Sequence, residues 1–118
     1  MPNPLQVTIT NNAVSPCNIT LYKNPSNGAN SVIFTNNASS AATWSLNTAA
    51  SYLSDQAPPN SNNPASNSYS IAASGTLQLW VKDNAAVGNG VNRQYNISVN
   101  GNDLACTTAD PPDIQIEP

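Results

Sequence analysis

Short apolar runs with a period of two, each closed by turn-forming residues, set the tightest constraint on this chain. Leu5, Val7 and Ile9 alternate with Gln6, Thr8 and Thr10, so a strand here buries one face and wets the other. Cys17, Ile19 and Leu21 repeat the pattern against Asn18, Thr20 and Tyr22. Leu77, Leu79 and Val81 do the same against Gln78, Trp80 and Lys82, and Tyr95, Ile97 and Val99 against Asn96, Ser98 and Asn100. The run Ser31 to Thr35 is apolar through its centre and reads as a strand buried on both faces. Clusters of Asn, Ser, Pro and Gly, such as Asn11 to Pro16 and Asn24 to Gly28, separate the runs. Spacing of roughly eight to twelve residues between such signals is that of an all-β domain.

The expected fold is therefore a single antiparallel β-sandwich over residues 1–118, immunoglobulin-like or jelly-roll-like in architecture, with about seven to nine strands. The first two runs read as an antiparallel pair joined through Asn11 to Pro16. Leu46, Ala49, Ala50 and Leu53 also fall at helical spacing behind Ser45, so the pattern admits a short helix near 46–54, ended before Pro58 and Pro59. A chain of 118 residues suits one core, burying about two-thirds of the surface of its unfolded form. Residues 54–68 form a long polar loop, and residues 109–118 an extended C-terminal segment behind the stiff pair Pro111 and Pro112.

The sharpest local expectation is at Asn100 and Gly101, the favoured pair for a two-residue type I′ hairpin turn. With those two central, Val99 opposes Asn102, Ile97 opposes Leu104 and Tyr95 opposes Cys106. A slip of one residue would set Ile97 against a polar neighbour. In the paired register Cys106 faces the core, as Cys17 does beside Ile19 and Leu21, and a Cys17–Cys106 disulfide is expected rather than two buried thiols. Its loop-closure value is about 4 to 5 kcal/mol before strain is subtracted. Cys17, the tryptophans and Cys106 resemble, in order, the Cys, Trp, Cys series of immunoglobulin domains. Leu104 stands where the tyrosine corner would have Tyr, and the cysteines are further apart than usual, so the resemblance implies architecture alone.

Composition then removes whole classes of chemistry. The chain has no histidine, which excludes the Ser-His-Asp and Cys-His arrangements and the common zinc sets. Lys23, Lys82 and Arg93 are its only cations, with a sequence pI near 4.2, too few to neutralise phosphates along a nucleic acid. No apolar run reaches the roughly 18 residues of a membrane span, and Met1 to Leu5 lacks the basic and apolar regions of a signal peptide. A glycosidase pair would have to come from Asp55, Asp83, Asp103, Asp110, Asp113 and Glu117, with no cleft in prospect to hold a sugar. Asp83, Asn84, Asn102, Asp103, Asp110 and Asp113 are oxygen ligands on loops, but none fits the spacing of a calcium loop. No catalytic residue, metal or cofactor is expected, and the protein reads as a non-enzyme.

What remains is binding or assembly. Twenty residues are Asn while charged residues are only 8%, so amides stand where charges normally would. Trp80 lies opposite Leu77, Leu79 and Val81, beside Gln78 and Lys82, where a ring can stack on a sugar. With amides from Asn60, Asn62 and Asn63, it suggests a lectin-like module for neutral carbohydrate; Trp44 and Tyr22 are weaker candidates of the same kind. Asn18, Asn37 and Asn96 each head an Asn-x-Ser/Thr triplet, a weak signal in so Asn-rich a chain. The leading expectation is a structural subunit of an extracellular fibre, coat or capsid-type particle, a homo-oligomer packing through low-charge faces. Its terminal strand, Asp113, Ile114, Gln115, Ile116 and Glu117, either finishes its own sheet or adds to a neighbour's, as the Met1 to Pro4 arm also does in that scheme. Lys and Glu usually keep sheet edges apart, and this chain has two Lys and one Glu.

Overall fold

A computed structural model describes residues 3–46, 52–82, 85, 87, 94–104 and 112–118. The described residues form eleven strands: β1 (Leu5–Ile9), β2 (Val14–Ser15), β3 (Ile19–Tyr22), β4 (Ser31–Asn36), β5 (Ala42–Leu46), β6 (Leu53–Ser54), β7 (Ser68–Ile71), β8 (Thr76–Val81), β9 (Tyr95–Val99), β10 (Asn102–Asp103) and β11 (Ile114–Glu117). They make a five-stranded sheet in the order β2-β1-β4-β8-β6, a four-stranded sheet β10-β9-β5-β7, and the pair β11-β3. The molecule is all-β, and no helix occurs among the described residues. The helix admitted near 46–54 is replaced at its ends by β5 and β6, while residues 47–51 lie outside the described residues.

The four-stranded sheet is antiparallel, but the five-stranded sheet is mixed and the pair β11-β3 is parallel, which corrects the expectation of a purely antiparallel fold. β1 runs parallel to β4, with Val7 opposite Phe34, and β11 runs parallel to β3, with Ile114 opposite Ile19. The cause lies at Pro16. β1 turns at Thr10, whose hydroxyl accepts from Ala13 N at 3.1 Å, and pairs back with β2 over two residues only. Proline has no N–H for the ladder, so the chain leaves that sheet and the expected pairing of β1 with residues 17–22 does not form. β3 instead takes β11, and the chain re-enters beside β1 as β4. The pair β11-β3 is tied to β9, where Tyr95 N donates to Pro112 O at 2.9 Å and Gln94 bridges Asp113.

The hairpin at Asn100 and Gly101 has the expected geometry. Both residues have positive φ, 55° and 79°, as a type I′ turn requires. Val99 opposes Asn102, and Leu104 N donates to Ile97 O at 2.8 Å. The third pair falls on Cys106, which lies outside the described residues.

The core is one cluster drawn from every sheet. Phe34 of the five-stranded sheet meets Tyr95 of the four-stranded sheet edge-on with centroids 5.4 Å apart, and Trp44 at 6.0 Å; Trp44 stacks on Tyr95 at 6.2 Å. Such pairs add about 0.5 to 1.5 kcal/mol each beyond the area they bury. All three side chains are fully buried, so Trp44 belongs to the core and cannot stack on a ligand. β4 is less symmetrical than its sequence implies: Val32 and Phe34 are buried, whereas Ile33 on the opposite face is only partly covered.

Position 36 continues the inward register of Val32 and Phe34, yet it is Asn, with no solvent exposure. Its Nδ2 donates to Ser40 O and Ile71 O at 2.9 Å and to Ala72 O at 3.3 Å, while its Oδ1 accepts from Ala38 N at 2.9 Å. A buried amide with its capacity filled tolerates a site that would otherwise penalise it. Asn36 thereby fastens the end of β4 to the end of β7 in the other large sheet.

Candidate functional site

The outward face of the five-stranded sheet follows from register. Trp80 stands between Ser31 of β4 and Ser54 of β6, and Gln78 stands beside Ile33, which pairs with Gln6. Ser31 and Ser54 are both buried, so two small side chains flank a half-buried indole. Gln78 Nε2 donates to Ser31 Oγ at 3.2 Å. One row further, Thr76, Thr35, Thr8 and Ser15 lie side by side. Trp80 and Gln78 therefore share a face, as their spacing predicts, with the tryptophan partly covered rather than open.

The polar loop expected over 54–68 spans 55–67, between β6 and β7, and is fastened. Ser54 Oγ accepts from Gln56 N at 3.1 Å, and Ala65 N donates to Leu53 O at 2.9 Å, which closes the outer edge of β6. At the far end Tyr69 OH donates to Asp55 Oδ2 at 2.9 Å and accepts from Ser66 N at 2.8 Å. Burial raises the Tyr69 hydroxyl above its ordinary pKa, with the Ser66 amide pulling it down and Asp55 adding to the rise. Asn63 Nδ2 donates to Gln56 Oε1 at 3.2 Å and Asn60 O at 3.1 Å. Asn60, Asn62 and Asn63 are all exposed in this loop, but the Asn63 amide is spent inside it and is not offered to the Trp80 row.

The terminal strand lies on its own chain. Ile114 and Ile116 are fully buried, and Lys23 N donates to Glu117 O at 2.9 Å. Asp113 N donates to Asn18 Oδ1 at 3.2 Å, Asn27 Nδ2 donates to Pro118 O at 2.9 Å, and Gln115 Nε2 bonds Glu117 Oε1. Of the two roles the sequence left to residues 113–117, the strand adopts the first and completes its own sheet. Cys17 sits half-buried against the core, and its carbonyl accepts from Tyr95 OH at 2.8 Å. Burial, then the Asp113 charge, drives the Tyr95 hydroxyl well above the usual range.

Among the described residues no three His, Cys, Asp or Glu side chains gather as a metal site, and no helix is long and apolar enough to cross a membrane. Asp83, Asn84 and Asp110 lie outside the described residues.

Sequence reasoning gave some asparagines a turn-forming role but missed the side-chain bonds they make. Asn11 Oδ1 accepts from Ser39 N, Asn24 Oδ1 accepts from Ser26 N, and Asn30 Nδ2 donates to Tyr22 O. Only Asn36 carried a signal that could have revealed this, its place in the inward register of β4. No protein-family model matches this chain, and no curated protein matches it.

Proposed function

We propose that this protein is a non-enzymatic structural subunit of an extracellular fibre, coat or capsid-type assembly, a β-sandwich that packs against copies of itself. The observation that carries this reading is the chemistry of the outward sheet faces. Register puts Ser68, Ser70, Thr43, Ser45, Asn96, Ser98 and Asp103 outward on the four-stranded sheet. Together with the Gln6, Thr8, Thr35, Thr76 and Gln78 face of the other sheet, which runs on through Trp80 to Lys82, these described positions carry two charged groups, Asp103 and Lys82. Typical globular domains carry about 25% charged residues. Val87 is the one exposed large apolar residue described, so contact between copies would run through hydroxyls and amides rather than a greasy patch. Cys17 is not a free thiol, which supports the bridge to Cys106 and an oxidising compartment. Terminal strand addition now requires β11 to leave β3 and exchange between subunits.

The test is sedimentation and light scattering of the intact protein over a range of concentration. The expected result is reversible self-association that the paired change Thr43→Lys and Ser98→Lys weakens at low salt and less so at high salt. Wild-type protein that stays monomeric overturns the reading. A monomer retained on a glycan array, with retention lost in Trp80→Ala, would instead establish the carbohydrate-binding reading favoured by the indole between Ser31 and Ser54.

A further inference from the structure

Sheet edges decide where one copy can join another, and three of the outer edges here are closed. In the five-stranded sheet β2 is two residues long and runs into Pro16, and β6 has its outward Leu53 carbonyl taken by Ala65 N. On β3, Tyr22 N donates to Ala29 O at 2.8 Å and Asn30 Nδ2 donates to Tyr22 O at 2.7 Å. A Cβ at Gly28 would come within 2.5 Å of the Tyr22 ring, so this cap is packed onto the strand it covers. Short strands, proline and covering loops are the usual protections of an edge.

Among the described residues no proline or covering loop closes β7. It is four residues, Ser68 to Ile71, without charge or proline. Leu46 N donates to Asn67 O, which fixes the parity of the ladder. Asn67, Tyr69 and Ile71 turn their main-chain groups toward β5, and Ser68 and Ser70 turn theirs away from it. Both serines are exposed.

We infer that the open edge of β7 pairs antiparallel with β7 of a second copy across a two-fold axis at Tyr69, joining two four-stranded sheets into one. The sequence Ser68-Tyr69-Ser70 reads the same in both directions. On that axis Ser68 of each copy faces Ser70 of the other, and every outward N–H meets an outward C=O, giving four main-chain hydrogen bonds. The two Tyr69 residues form the close, non-hydrogen-bonded pair. An interface between identical patches must be self-complementary in this way, and β7 itself carries no charged residue. So short a seam falls below the roughly 1,200 Å² of a standard interface, so the dimer is reversible.

This inference rests on the self-assembly reading and names its contact. The test compares wild type, Ser70→Pro and Ser68→Lys by analytical ultracentrifugation, with amide hydrogen exchange of wild type followed by NMR against concentration. Proline at position 70 removes an outward N–H and leaves the ladder to β5 untouched. Wild type is expected to reach twice the monomer mass while both variants lose half or more of the dimer. The Ser68 and Ser70 amides should gain protection as concentration rises, and those of Tyr69 and Ile71 should be protected throughout. Association of wild type with both variants unaffected and the serine amides unprotected overturns the β7 contact and leaves the structural-subunit reading standing. Wild type that stays monomeric removes both.

Discussion

Asn36 and Asn62 place the same amide in opposite surroundings. Asn36 has no solvent exposure and binds main-chain groups of Ser40, Ile71, Ala72 and Ala38; Asn62 is exposed in the loop between β6 and β7. Asn11, Asn18, Asn24, Asn27, Asn30 and Asn63 stand with Asn36, since each side chain bonds a main-chain or side-chain group that holds a loop or edge in place. The difference teaches that asparagine enrichment in this chain is first a way of fastening turns without charge. Functional weight falls on the amides left in water.

The strongest way to break that division is Asn36→Leu. Leucine fills a similar volume and adds apolar burial, so a merely tolerated amide would make this change stabilising. It instead takes the Asn36 partner from the Ser40 carbonyl and the Ala38 N–H, each costing about 1 to 3 kcal/mol when buried, while the Ala72 carbonyl keeps Gly75 N and the Ile71 carbonyl keeps its place in the β5 ladder. Urea unfolding should show a loss of about 3 kcal/mol, limited by relaxation and water entry. Asn36→Asp, which keeps the shape and the bond from Ala38 but cannot donate, should also destabilise. A leucine variant as stable as wild type would end the argument.

The same contrast holds for two tyrosines. Tyr95 is fully buried with its hydroxyl on Cys17 O, whereas Tyr69 is half-buried with its hydroxyl on Asp55. Burial and Asp113 raise the folded-state pKa of Tyr95 above the unfolded value near 10. The unfolded chain therefore releases its proton first. The Tyr95 contribution is complete below about pH 10 and falls above it by up to about 1.4 kcal/mol per pH unit. Urea midpoints of wild type should drop steeply above that pH, and Tyr95→Phe, less stable near neutrality, should show a shallower fall. Tyr69→Phe should change the slope less, and an equal change in both would erase the distinction.

These contrasts show what was legible in the sequence. The Asn100 and Gly101 turn was, because type I′ geometry demands residues that accept positive φ, and the register of β9 against β10 follows from it. The alternation of β8 placed Trp80 and Gln78 on one face correctly. The parallel pairings of β1 with β4 and β3 with β11 were not legible, because period-two alternation is identical for either direction and the diverting residue, Pro16, reads only as part of a turn. Trp44 was ambiguous for a similar reason: β5 is short, and only the rings of Phe34 and Tyr95 from distant parts of the chain reveal which side is inside. The separation of loop amides from the Trp80 row depends on bonds within residues 54–68, which composition does not encode.

Asn62→Ala is the smallest and most discriminating of the three changes. An exposed amide leaving for water loses no buried partner, so stability should shift by less than about 0.5 kcal/mol. Asn63→Ala, which gives up bonds to Gln56 and Asn60 O, should cost more but remain near the value of an exposed hydrogen bond, about 0.5 to 1.5 kcal/mol at most. Ordered this way, Asn36, Asn63 and Asn62 form a series in which the cost follows the number of protein groups the amide satisfies and their burial. If urea unfolding gave Asn62→Ala a loss of more than about 1 kcal/mol, exposure would no longer separate fastening amides from those available for contact. The loop would then count as part of the scaffold, leaving Trp80, Gln78 and the β7 edge to carry recognition.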